Sequence, residues 1–168
     1  MIEIPLEVKV SIEKRLSELK KGKESIIQLM TEELKNTLQG MSNYIVGIEG
    51  REKSVDSIYS KMKSNNCNVD KIHDILGARV ILKAKTNCYK VREVIRTKYK
   101  EIGEETEDYI KSPKENGYKG LHIIVTDLCN RVAEIQIRDE DMHEIAETGS
   151  ASHKLYKNNQ WQIQKQKA

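Results

Sequence analysis

The chain has 168 residues, enough for one domain with a core of its own. Its formal net charge of +3, from 29 basic and 26 acidic residues, does not favour nucleic acid as a partner, because binding the phosphate backbone calls for a strongly basic surface. No apolar run approaches the roughly 20 residues that cross a bilayer, and the N-terminus lacks a signal peptide. We therefore predict a cytoplasmic protein with no membrane partner.

The three cysteines are Cys67, Cys88 and Cys129, and they are widely spaced without a CxxC motif. Their odd number argues against a disulfide framework, and their spacing argues against a thiolate zinc site. We expect three small, buried thiols in a reducing compartment.

The N-terminal segment 1–40 is predicted to be helical. Apolar residues recur at helical spacing between positions 6 and 38, with Gly22 as a break and Gly40 as a stop. This pattern indicates one or two amphipathic helices that open the chain.

A strand is predicted directly after the helical segment. Tyr44, Val46 and Ile48 alternate with polar or small residues, and Gly50 ends the run just before a charged stretch. Arg51 is therefore expected at the junction between this strand and the next helix.

Helices and strands then alternate along the rest of the chain. In order, we predict a helix over 54–63, a strand over 76–83, a helix over 87–99, a hairpin of strands over 121–126 and 131–138, and a helix over 139–156. Four or five short strands interleaved with helices indicate an α+β domain, with a mixed sheet of about five strands flanked by helices. The tail 158–168 is polar and is expected either to fray or to form an oligomer contact.

The last predicted strand has two chemically different faces, because side chains alternate along a strand. The apolar face holds Ala133, Ile135 and Ile137, and the polar face holds Glu134, Gln136 and Arg138. Solubility alone does not explain a carboxylate, an amide and a guanidinium on a strand whose neighbour, 121–125, is apolar. The polar face is therefore a candidate site.

Lys53, Ser57 and Lys61 form a candidate phosphate-binding stripe. They are four residues apart, so a helix would align them on one face, with Arg51 just ahead of its first turn. An ordinary solvated helix face would look the same. The position at a helix N-terminus favours phosphate, because free backbone N–H groups and the helix dipole attract anions there.

Asp74 and Glu134 form a candidate magnesium site. Asp74 precedes the strand that carries Arg79, and Glu134 lies on a different strand. Alone, Asp74 would be a turn or cap residue. Two carboxylates brought together by the fold are the kind of site that holds Mg²⁺ between the protein and phosphate oxygens.

The segment 108–122 combines groups that suit a purine nucleotide. The Asn-Gly pair at 116–117 permits a tight turn that would lift Tyr118 out of the sheet edge as an exposed stacking platform. An ordinary surface turn with an incidental tyrosine is the alternative. Lys114 and His122 on either side of the ring favour the nucleotide.

Four ordered segments resemble the synthetase domain of the RelA/SpoT family, whose members make the alarmones ppGpp and pppGpp. They are GREKSVDSIYSKM (50–62), DILGARVI (74–81), DYIKSPKENGYKGLH (108–122) and EIQIRDEDMHEIAETG (134–149). The resemblance implies a nucleotidyltransferase-like sheet in a synthetase domain over 41–157. It also implies transfer of the β,γ-pyrophosphate of ATP to the 3′-hydroxyl of GTP or GDP, with Mg²⁺ as cofactor and AMP released. No segment resembles the family's hydrolase domain, so synthesis without hydrolysis is expected.

The resemblance assigns roles residue by residue. For ATP, it implies that Arg51 and Arg79 clasp the adenine and that the phosphates are held by Lys53, Ser57 and Lys61. For the metal, it implies that Asp74 and Glu134 bind Mg²⁺ as the catalytic pair. For the acceptor nucleotide, it implies that Tyr118 stacks on guanine and that the rest of the nucleotide is held by Lys114, Asn116, His122 and Gln136. Glu134 would either take the proton of the attacking hydroxyl or serve only as a metal ligand.

The chain departs from the family's usual residues at three positions. Gly120, Asp139 and Lys154 stand where Ser, Thr and Trp are usual. Two other functions stay open at this point: a relic that binds nucleotides or a partner without turnover, and a toxin-like pyrophosphokinase that acts on RNA. A homo-oligomer is also left open.

Overall fold

The computed structural model describes residues 2–20, 26–126 and 131–149. The helices are α1 (Leu6–Leu19), α2 (Ile26–Thr37), α3 (Val55–Asn65), α4 (Cys88–Arg96) and α5 (Glu140–Glu147). The strands are β1 (Ile45–Glu52), β2 (Leu76–Leu82), β3 (Lys100–Glu101), β4 (Glu107–Asp108), β5 (Leu121–Thr126) and β6 (Val132–Asp139). Among the described residues, no helix combines the length and apolar character needed to span a membrane.

The strands form one mixed sheet in the order β1-β2-β6-β5-β3, with β4 also paired to β5. The β2 and β6 strands are parallel, and the other pairs are antiparallel. The predicted α+β class with a mixed sheet and the predicted hairpin partners are confirmed. The sheet has six strands rather than about five. The strands β3 and β4 were not predicted, because they contain only two residues each and show no alternation.

Two apolar clusters hold the helices in place. The larger cluster packs α2 and α4 against the sheet and includes Leu34, Ile95, Ile135 and Ile137. The smaller cluster joins α1 and α3 and includes Ile12. The apolar face of β6 is therefore in the core, which leaves the polar face for the site.

Some predicted boundaries were wrong. The first strand does not end at Gly50 but continues to Glu52, so Arg51 lies within β1. The α4 helix ends at Arg96, three residues earlier than predicted. The last helix ends at Glu147 instead of continuing through 148–149 as predicted. The predicted break at Gly22, the thiol of Cys129 and the part of the predicted helix beyond 149 lie outside the described residues.

The two described cysteines are free. Cys88 is buried, and burial raises the pKa of its thiol to about 12, which keeps it protonated and unreactive. Cys67 is half-buried, so the expectation that it is buried was wrong.

The close approach of β2 to β6 depends on Gly77. Gly77 lies opposite Glu134 in the parallel pair. A Cβ atom at position 77 would lie 1.9 Å from the Glu134 carbonyl oxygen. Glycine therefore lets the strand that follows Asp74 approach the strand that carries Glu134.

A cluster of charges fixes the loop that leads into the site. Glu101 accepts a hydrogen bond from Arg92 at 2.7 Å and forms an ion pair with Arg96 at 3.0 Å, which ties β3 to α4. Asp108 accepts hydrogen bonds from the Tyr89 hydroxyl at 2.9 Å and from the Lys111 backbone N–H at 3.0 Å. The segment that begins at Asp108 is thereby anchored at its start.

Candidate active site

A cleft of about 480 Å³ opens on the polar face of the sheet. Of the residues predicted for the site, it is lined by Arg51, Lys53, Lys61, Asp74, Arg79, Lys114, Asn116, Tyr118, His122, Glu134 and Gln136. Ser57 does not line this cleft. It lines an adjoining groove along α3, where its hydroxyl accepts a hydrogen bond from Ser54 at 2.8 Å.

Asp74 lies at the centre of the lysine cluster. Its Oδ2 accepts hydrogen bonds from Lys53 Nζ at 2.6 Å and from Lys61 Nζ at 2.8 Å. Burial alone would raise the pKa of this carboxyl, but the two lysines outweigh burial and lower the pKa to about 2. Asp74 Oδ1 is buried without a hydrogen-bond partner, so one oxygen stays available to a ligand.

Glu134 is held by three donors, which lie on β1, on β5 and on its own strand. Its Oε1 lies 3.1 Å from Arg51 Nη1 and accepts a hydrogen bond from Gln136 Nε2 at 2.7 Å, and its Oε2 lies 3.3 Å from His122 Nδ1. Burial would raise the pKa of Glu134, but His122 and Arg51 lower it overall, against an opposing contribution from Asp74. The side chain is therefore a carboxylate at neutral pH.

Arg51 connects the two carboxylate residues. Its Nη1 lies 3.2 Å from the backbone oxygen of Asp74, as well as 3.1 Å from Glu134 Oε1. The fold therefore brings the neighbourhoods of Asp74 and Glu134 together around one guanidinium nitrogen. It does so because β1, which carries Arg51, pairs with β2, and β2 pairs with β6.

The other side of the cleft is aromatic. Gly117 has a φ of 83°, which permits the tight turn predicted before Tyr118. The Tyr118 hydroxyl and His122 Nε2 are 2.6 Å apart, and Lys114 Nζ lies 5.5 Å from the centre of the Tyr118 ring. The residue is half-buried, so the expectation of an exposed platform was wrong. Gly120 permits this position, because a Cβ there would lie 3.0 Å from the Tyr118 hydroxyl.

Sequence reasoning assigned no role to five residues that line the cleft: Glu107, Tyr109, Arg138, Ala146 and Glu147. The alternation along β6 already placed Arg138 on the polar face. Tyr109 packs edge to face against Tyr118 with ring centroids 5.9 Å apart, and the Lys114 ammonium lies 4.4 Å from its centre. Glu147 gave no sequence signal, because it reaches the cleft from the end of α5.

The described residues contain no group of three or more His, Cys, Asp or Glu side chains arranged to hold a metal ion. Protein side chains alone therefore do not form a complete metal site in this part of the chain. Asp74 and Glu134 offer carboxylate oxygens, and one oxygen of Asp74 is unpartnered. Mg²⁺ commonly binds through one or two carboxylates and completes its shell with water and substrate phosphates. The residues present therefore fit Mg²⁺ together with a phosphate ligand.

A family model described as "Region found in RelA / SpoT proteins" matches residues 50–161, more than half of the chain. The chain belongs to the RelA/SpoT family. Among its RelA/SpoT relatives, a GTP pyrophosphokinase of Photobacterium angustum is 34% identical over 146 residues, which are 87% of this chain and 20% of that protein. A guanosine-3′,5′-bis(diphosphate) 3′-pyrophosphohydrolase of Spiroplasma citri is 40% identical over 137 residues, 82% of this chain and 18% of that protein. The chain thus spans about a fifth of the length of these curated relatives.

Solved structures of the RelA/SpoT family share the fold. Small alarmone synthetase 2 from Bacillus subtilis superposes with a TM-score of 0.60 at 31% identity, over 80% of this chain and 78% of that one. Small alarmone synthetase 1 from the same organism, bound to its product pppGpp, has a TM-score of 0.57 at 25% identity, over 70% and 71% of the two chains. The nucleotidyltransferase-like sheet implied by the sequence resemblance is confirmed.

Proposed function

We propose that this RelA/SpoT family member transfers the β,γ-pyrophosphate of ATP to the 3′-hydroxyl of GTP or GDP, giving pppGpp or ppGpp and AMP. One observation carries the proposal: a single cleft holds a cluster of cations beside two carboxylates and, on its other side, a tyrosine ring beside a histidine. Relatives named GTP pyrophosphokinase and the fold of the small alarmone synthetases support it.

The donor nucleotide is assigned to the Asp74 side of the cleft. Lys53 and Lys61 share one carboxylate oxygen, so the cluster keeps a net positive charge that can bind the ATP phosphates. Ser57 extends the same surface into the adjoining groove. Arg51 and Arg79 offer planar guanidinium groups, which stack well on an aromatic base such as adenine.

Mg²⁺ is assigned to Asp74 and Glu134. When bound, the ion would neutralise charge on the transferred phosphates. Asp74 is suited to this role because the lysines keep it ionised through its Oδ2 while its Oδ1 stays unpartnered. Removal of divalent ions with EDTA is part of the test below.

The acceptor is assigned to the aromatic side of the cleft. Tyr118 would stack on guanine, since any base has a face that an aromatic ring can cover. Lys114, Asn116, His122 and Gln136 would supply donors and acceptors around that base and its phosphates. The pairing of β5 with β6 places His122 opposite Gln136, so both face the same part of the cleft.

The transfer step forms a bond between the acceptor 3′-oxygen and the β-phosphorus of ATP. It breaks the bond from that phosphorus to the oxygen that bridges to the α-phosphate, and AMP leaves with that oxygen. Glu134 can receive the hydroxyl proton, but its lowered pKa makes it a weak base. We therefore assign it mainly an electrostatic role, within a site that works by positioning and charge neutralisation.

The experiment that tests the proposal is an incubation with labelled ATP and Mg²⁺, resolved by product. With GTP or GDP present, we expect label in pppGpp or ppGpp and a matching release of AMP, and EDTA should stop both. Equal AMP release without an acceptor would contradict the proposal. Label that appears on RNA instead of a guanine nucleotide would favour the toxin-like alternative, and nucleotide binding without turnover would favour the relic.

Tyr118 provides a prediction for the acceptor side. Tyr118→Ala is expected to raise the KM for GTP by about 5-fold to about 100-fold, because stacking of a base on an aromatic ring is worth roughly 1–3 kcal/mol. Tyr118→Phe keeps the ring and loses the contact of the hydroxyl with His122, so its KM for GTP should stay within about threefold of wild type. Steady-state kinetics with each substrate varied in turn measures both values. If the KM for ATP rises as much as the KM for GTP, the assignment of Tyr118 to guanine is wrong.

A further inference from the structure

One carboxylate oxygen of Glu147 contacts two arginines on neighbouring strands. Glu147 Oε1 lies 3.3 Å from Arg79 Nη1 on β2 and 2.9 Å from Arg138 Nη2 on β6. We propose that Glu147 is a positioning residue that fixes the Arg79 guanidinium for the base of the donor nucleotide, with Arg138 as its buried anchor. The inference rests on the proposed function for the assignment of Arg79 to the donor.

Arg138 is placed to act through Glu147 rather than on a nucleotide. Its side chain is only 2% exposed, although it lines the floor of the cleft. Arg79 and Arg138 contact the same oxygen of Glu147, so the two cations are close together. Burial and the positive charge of Arg79 both lower the pKa of Arg138. The Glu147 carboxylate, which both arginines contact, offsets their repulsion and holds both guanidinium groups in the cleft.

Arg79 has three acceptors around its guanidinium, and its contact with Glu147 is as short as the other two. Its Nε lies 3.4 Å from Gln136 Oε1, and its Nη1 lies 3.3 Å from Glu49 Oε2. Together with Glu147, these acceptors come from β6, β1 and α5, so they define the plane of the guanidinium from three directions. Stacking on a base depends on that plane, because a tilted guanidinium loses its contact with the ring.

The location of Glu147 in its helix also calls for an explanation. It is the last residue of α5, where the helix dipole disfavours a negative charge. The side chain is about half exposed, at 48%, so burial does not keep it in place. The two guanidinium groups account for a carboxylate at this helix end.

The test compares Glu147→Gln with Glu144→Gln, which removes the same charge from an exposed position of the same helix. Glu147→Gln is expected to raise the KM for ATP about tenfold, because the loss of a hydrogen bond to a charged group weakens binding by about that factor. The kcat and the KM for the acceptor should stay within about twofold of wild type. Glu147→Asp should restore part of the loss. Glu144→Gln should match wild type.

Binding of a non-hydrolysable ATP analogue, measured by calorimetry without acceptor, separates this inference from the proposed function. If wild type makes no alarmone, the function fails, yet weaker analogue binding by Glu147→Gln would still support the positioning role. If wild type is active and Glu147→Gln binds the analogue as well as wild type, the inference is overturned. It is equally overturned if both KM values rise and the thermal stability falls in Glu147→Gln, because that pattern indicates a general structural role.

Discussion

Replacing Glu134 with glutamine is expected to lower turnover by about 10³-fold or more, because the variant removes a preorganised charge from the reacting centre. The amide has nearly the same shape and can keep hydrogen bonds to Arg51 or His122, so the site should not collapse. The lysines around Asp74 and the Tyr118 ring are unchanged. The affinities for ATP analogue and GTP should therefore stay within about threefold of wild type.

Single-turnover kinetics measures the loss of turnover, and calorimetry on the same preparation measures the affinities for the ATP analogue and GTP. Glu104→Gln serves as the control, since Glu104 is exposed, lies in the turn 103–105 and does not line the cleft. Turnover by Glu134→Gln within tenfold of wild type would show that Glu134 is not part of the reacting centre. A parallel loss of nucleotide binding would show that its role is in forming the cleft.

The polar face of β6 could be predicted from sequence because strand geometry is local. Alternate residues must point to opposite faces, and Ile135 and Ile137 could only be in the core. The end of the first strand could not be predicted in the same way. Gly50 and the charged residues after it indicated a junction at Arg51, but pairing with β2 continues the strand to Glu52 and keeps Arg51 inside it.

Other features of the site depend on contacts between distant parts of the chain, so sequence patterns could not reveal them. The half-buried position of Tyr118 involves a close approach of its hydroxyl to Gly120 and to the His122 ring. The contact of Glu147 with Arg79 joins a helix end to a strand 68 positions earlier in the numbering, and nothing in either local pattern indicates it. The parallel pairing of β2 with β6 also joins distant parts of the chain, so no local sequence pattern indicates it.

Gly77→Ala is expected to be the most destabilising small substitution in the sheet. The new methyl group would lie 1.9 Å from the Glu134 carbonyl oxygen, and a backbone group in a parallel strand pair cannot rotate away as a side chain can. Overpacking of a rigid core typically costs 1–3 kcal/mol, and a clash with backbone should reach or exceed about 3 kcal/mol. The strands would have to separate between Asp74 and Glu134, so activity should fall together with stability.

Gly47→Ala is the matched control, because a Cβ at that position of β1 meets nothing within 4 Å. Its free energy of unfolding should stay within about 1 kcal/mol of wild type, since the one change left is the intrinsic preference of the strand for alanine over glycine. Urea unfolding of both variants, followed by circular dichroism, gives the comparison. If Gly77→Ala unfolds at the same urea concentration as Gly47→Ala, the two strands do not depend on glycine for their approach. The convergence of Asp74 and Glu134 would then need another cause.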